Sequence, residues 1–203
     1  MIAALFVDEK GVYANLPGVE VWGISRDART YAGPHPVVCH SPCSRWCRLA
    51  GLVEARWGHK RGEDGGCFAA ALNAVRTWGG VLEHPAYSDA WRTFGLPVPT
   101  QHGWQRGICG GWSAHVNQGA YGHVAKKATW LYAFGVIDLP ELLWRVEPDP
   151  ATRALVSNNR NHTKPGDTRR RVIKKAAAAT PIAFRDLLIG IAKSARGSQE
   201  VAA

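Results

Sequence analysis

Short apolar runs that stop at chemically useful residues constrain this chain more than any other feature. Residues 2–7 (IAALFV) end at Asp8, residues 19–24 (VEVWGI) lead to Asp27, residues 36–39 (PVVC) run into His40-Ser41-Pro42-Cys43, and residues 80–83 (GVLE) close on His84-Pro85. A fifth run, residues 128–134 (ATWLYAF), follows a polar segment. Each reads as a strand with a buried face. Between the third and fourth lies one clear helical pattern, residues 67–78 (CFAAALNAVRTW), stopped by Gly79-Gly80. Strands interleaved with a helix predict an open α/β sheet. In such sheets ligands sit beyond the carboxyl ends of the strands, which is where Asp8, Asp27, His40, Cys43 and Glu83 fall.

The rest of the chain is less regular. Residues 50–65 are polar and glycine-rich and read as an exposed loop; residues 94–112 also read as loop. Leu139 to Leu143 reads as a short helix or turn. Residues 145–172 carry little apolar content and read as a linker. Thr180-Pro181 offers an N-cap and a first-turn proline for a docking helix that ends near Ser194. The expected organisation is a catalytic domain at 1–144, a basic linker at 145–179, and a C-terminal helix and tail at 180–203.

With 46% apolar residues and 20% charged residues, the 203-residue chain is long enough for a core and is not predominantly disordered. No apolar run approaches the length of a membrane span, and the amino-terminal run lacks a basic flank, so neither a membrane helix nor a signal peptide is read. Five cysteines, an odd number, fit reduced thiols in the cytoplasm. The net charge of +9 favours a polyanionic partner, nucleic acid first. Residues 160–175 hold seven basic residues, among them Arg169, Arg170 and Arg171, against one acid, Asp167. Such a run is either a solvated flexible segment or a grip on phosphates, and the two are compatible. Most of the nine tryptophans belong in the core; one near a site, such as Trp46, can stack on a base.

Cys43, in a proline-stiffened turn, is a candidate nucleophile, with Arg45 or a histidine available to lower its pKa; a buried inert cysteine is the plainer alternative. Glu83 is a candidate to hold a substrate or trade a proton with that thiol, or else a surface ion-pair partner. Cys39, Cys43 and Cys47 repeat at a spacing of four, but Pro42 breaks any helix that would align them, so no metal is assigned. Residues 118–130 (QGAYGHVAKKATW) hold a histidine and two lysines suited to phosphate or base contact, or simply a polar loop.

The ordered set HSPCSRW at 40–46, VLEHP at 81–85 and QGAYGHVAKKATWLY at 118–132 resembles phage- and prophage-borne proteins described as DNA cytosine-C5 methyltransferase-like. The likeness spans roughly residues 36–135, and the TPIAF segment near 180–184 resembles their tails. It implies a Rossmann-like fold, S-adenosylmethionine as methyl donor and DNA as partner. Cys43 corresponds to the nucleophile that adds to C6 of cytosine. Glu83 corresponds to the acid that bonds N3 and the exocyclic amine. Gln118, Gly122, His123, Lys127 and Thr129 match the third block, where base or DNA contact fits the residue types. His40, Arg45, Trp46 and His84 flank the two motifs and are expected to meet the substrate.

Two positions depart from the family pattern: Ser41 replaces the first proline and His84 replaces an asparagine. About eleven residues separate the first two strands, too few for the usual crossover helix. The cofactor lobe is thus expected to be truncated, with Asp8 and Asp27 left to hold the donor; Asp27 reads first as an N-cap or loop acid. Two alternatives stay open: a non-catalytic DNA-binding descendant, and a same-fold enzyme that uses another donor on a base or nucleotide.

Overall fold

A computed structural model describes residues 1–100, 102–143, 155–156, 171–172 and 174–196. In chain order the elements are β1 (Ile2–Leu5), β2 (Val19–Trp22), β3 (Val37–Cys39), α1 (Ala50–Trp57), α2 (Cys67–Trp78), β4 (Gly80–Pro85) and α3 (Asp89–Thr93). There follow β5 (Gln105–Arg106), β6 (Trp112–Asn117), β7 (Ala128–Phe134), β8 (Leu155–Val156), β9 (Arg171–Val172), α4 (Lys174–Ala178) and α5 (Ile182–Lys193). No described helix is long and apolar enough to cross a membrane.

The sheet has seven strands in the order β2-β1-β3-β4-β7-β6-β5. The first four are parallel, and β7 is antiparallel to both β4 and β6. The expected open α/β sheet is therefore present, and it is mixed. Strand order reverses between β1 and β3, which creates a switch point at their carboxyl ends. The connection from β1 to β2, residues 6–18, has no α-helix. Its turns close on Gly11 N–H to Asp8 O and Ala14 N–H to Gly11 O, and the two strands are parallel nonetheless.

Alternation along the strands sorts the core into two layers. Ala3, Leu5, Val37, Cys39 and Leu82 face α2 and α3; Ala4, Val38, Val81, Leu131 and Ala133 face α5. Helix α2 buries Phe68, Ala71, Leu72 and Val75, the stripe its periodicity predicts. Helix α5 buries Phe184, Leu188, Ile191 and Ala192, as a docking helix must. Its cap position is Pro181, with no side-chain cap bond, so Thr180 does not cap it. At Gly80, φ is +124° and a Cβ would run into the Val37 carbonyl oxygen, so only glycine lets β4 start beside β3.

Several stretches differ from expectation. Residues 50–57 form α1 rather than loop; its Leu52 and Trp57 side chains stay exposed, so the helix shows no buried stripe in the sequence. Strand β6 and helix α3 arise where no element was read. Leu139 to Leu143 contains no helix. The expected linker at 145–179 contains the parallel pair β8 and β9 and, near its end, α4.

Candidate active site

Cys43, His40 and Glu83 are delivered by two adjacent parallel strands. His40 follows β3, its N–H bonded to Leu5 O at 3.0 Å, which fixes the first residue of the motif against β1. Trp46 N–H and Cys47 N–H both donate to Cys43 O, at 3.0 and 2.9 Å, closing the turn that carries the thiol. Glu83 lies near the end of β4, where alternation turns it to the α5 side, opposite Leu82 and His84.

A buried hydrogen-bonded chain surrounds Glu83. Tyr13 Oη lies 2.8 Å from His40 Nε2, and His40 Nδ1 lies 3.3 Å from Glu83 Oε1. From the other side Gln118 Nε2 reaches the same Oε1 at 3.4 Å and donates to Thr129 Oγ1 at 3.0 Å. Burial alone would raise the Glu83 pKa. The hydrogen bond from His40, with the charge of Lys127, overcomes it and holds the carboxyl below its ordinary range, as a carboxylate.

The Cys43 thiol is half-buried. Burial pushes its pKa up, the nearby Cys47 and Glu83 push it further, and Lys127 opposes them. It rests as a thiol, and Glu83 and Lys127 both lie within electrostatic reach of it. Burial lowers the Lys127 pKa, while Glu83 and Cys43 draw it back up. Its Nζ donates to Ala179 O at 2.8 Å and Ala178 O at 3.2 Å, the carbonyls that leave α4. Lys127 thus joins the site to the connector between α4 and α5.

Other expected contact residues face inward. His84 is 0% exposed, edge-on to Phe68 and stacked on Trp91, with its pKa pushed down to about 4 by burial. It is a neutral core imidazole. Trp46 is buried against Phe68 and Phe94, and its Nε1–H donates to Asp64 Oδ2 at 2.8 Å. Gln118 and Thr129 are buried behind Glu83 and support it. His123 is buried, and its Nδ1 accepts from Ala125 N at 3.0 Å, closing a tight turn. None of these five presents a surface to DNA. Arg45 is half-buried; its carbonyl accepts from Gly62 N–H. Arg169 and Arg170 lie outside the described residues, as does the side chain of Arg171. Cys39 is fully buried and its thiol donates to Ala71 O at 3.7 Å, away from Cys43.

A site for S-adenosylmethionine requires a carboxylate open to a ribose hydroxyl and a backbone cradle. Asp27 is committed to Arg29, at 2.7 and 2.8 Å to its guanidinium, and caps the following turn. Asp8 is exposed, and its Oδ1 accepts from Lys10 N–H at 2.9 Å. The connection after β1 supplies closed turns. Asp27 is thus engaged by Arg29, while Asp8 stays exposed just after β1.

Tyr13 was not singled out by its sequence context. Nothing in the pattern of residues 6–18 marks it, and its position depends on the β1–β2 connection folding back over the switch point. No family model, curated protein or solved structure matches this chain.

Proposed function

We propose that the chain is a cytoplasmic DNA base-modification enzyme of the cytosine-C5 methyltransferase-like kind, on a Rossmann-like sheet. The observation that carries this reading is the electrostatic meeting of Cys43, Glu83 and Lys127 at the carboxyl edge of β3 and β4. Once deprotonated, Cys43 Sγ bonds to C6 of the base. The C5–C6 π pair then moves toward C5, which becomes the nucleophilic carbon. Glu83 takes the proton that leaves the thiol and passes it to N3 as the sulfur adds, so the ring ends as a neutral enamine, while its other oxygen accepts from the exocyclic amine. The target base leaves the stack to reach the thiol, or comes from a single strand. Arginines beside exposed rings suit such a strand: Arg48 lies 5.6 Å from the Tyr87 ring and Arg56 lies 5.1 Å from Trp57.

An oligonucleotide carrying 5-azacytosine tests the addition step. We expect a covalent complex with the native protein and none with Cys43→Ala. A complex that survives Cys43→Ala rejects the assignment. The Asp27–Arg29 pair favours a second reading, in which the same nucleophile serves a different donor or acts on a free nucleotide. Calorimetry with S-adenosylmethionine separates the two: heat at or below millimolar ligand supports methyl transfer, and silence supports the second reading.

A further inference from the structure

Addition to a base needs a thiol and a carboxylate; it does not explain the buried chain behind the carboxylate. We infer that Tyr13 and His40 are positioning residues that hold Glu83 through one fixed imidazole tautomer. Tyr13 is 2% exposed, and its ring meets the His40 ring at 5.4 Å with a 57° tilt. Burial first, then the charge of Glu83, raises the Tyr13 pKa far above its ordinary value, so the phenol keeps its proton. Ionised Glu83 can only accept, so the 3.3 Å contact from its Oε1 to His40 Nδ1 places a proton on Nδ1. In the neutral ring Nε2 is then the acceptor, and the phenol 2.8 Å away donates to it.

The groups that face this chain come from several elements. Glu83 and His84 belong to β4, Cys39 to β3, Lys127 precedes β7, and Arg185 and Asp186 belong to α5. Arg185 Nη1 donates to Val12 O at 3.0 Å, which pins the residue before Tyr13 to the helix that covers the site. The short β1–β2 connection therefore has a positive role. It supplies the outer end of the chain that orients Glu83. The tautomer itself does not depend on the base-addition reading; what the oriented carboxylate is for does rest on it.

Long-range proton–nitrogen spectra of the imidazoles in the full-length protein, near pH 8 and above the ordinary histidine range, read the tautomer directly. His40→Gln identifies the signal by its loss. We expect the native His40 to be the Nδ1–H form, and Tyr13→Phe to raise the Nε2–H form several-fold. A native Nε2–H ring, or an unchanged ratio in Tyr13→Phe, overturns the inference. The native spectrum alone decides if the variant is unfolded. Tyr13→Phe is also expected to slow trapping on 5-azacytosine roughly tenfold, the loss typical of a bond supporting a charged group, with Cys43 alkylation by iodoacetamide unchanged. Trapping unchanged in Tyr13→Phe rejects the positioning role. If the native protein does not trap at all, the base-addition reading fails, and the tautomer still decides the inference.

Discussion

At position 84 an imidazole lies between Phe68 and Trp91, with the Pro42 backbone beside it and neither ring nitrogen in good hydrogen-bond geometry. Charging it there means placing an ion in hydrocarbon, which is why its pKa falls from 6.5 to about 4. The unfolded chain therefore binds a proton before the folded one does. The stability this confers is full above 6.5 and is lost as pH falls through about 4. The loss amounts to about 3 kcal/mol. We expect His84→Phe to flatten that part of the curve in denaturant titrations at stepped pH, whatever it does to the plateau. A second expectation concerns Lys127, whose charge lowers the Cys43 pKa. Lys127→Met should leave less thiolate and slow alkylation of Cys43 by iodoacetamide several-fold near neutral pH, read peptide by peptide. The sequence exposes Cys43 and Glu83 because each follows an apolar run. It hides the roles of Lys127 and His84, since those depend on which neighbours surround a side chain rather than on its type.

Elements were legible where burial is continuous. Strands β1, β3, β4 and β7 and helices α2 and α5 each bury an unbroken face or stripe. Helix α1 escaped because Leu52 and Trp57 remain exposed and Ala50 is its only buried residue. Strand β6 (WSAHVN) escaped because polar residues occupy inward positions: Ser113 is fully buried, 3.3 Å from Trp91 Nε1, and reads as surface only when that partner is unknown. The two helices should therefore respond oppositely to the same truncation. Leu188→Ala in α5 empties a site with no exposure and should cost about 2–5 kcal/mol in chemical denaturation. Leu52→Ala in α1 should stay within about 0.5 kcal/mol of the native protein.

For the molecule as a whole, the +9 charge is the feature most relevant to a nucleic-acid partner, and much of it lies in residues 160–175. If that stretch grips phosphates, replacing Arg169, Arg170 and Arg171 together with glutamine should flatten the plot of log affinity for DNA against log salt, by up to about 3 in slope. An unchanged slope places the phosphate contacts elsewhere. The sheet topology has a temporal side as well. The last strand of the seven-stranded sheet ends at Phe134, yet the helix that covers its second face begins at Ile182. While the ribosome makes the residues in between, the nascent chain carries an uncovered greasy surface and an unanchored Tyr13, because Arg185 has yet to be synthesised. Pairing of the strands can precede completion of the site by the time needed to translate that interval. An arrested product ending there would hold both candidate reactive residues, Cys43 and Glu83, without the wall that aligns them.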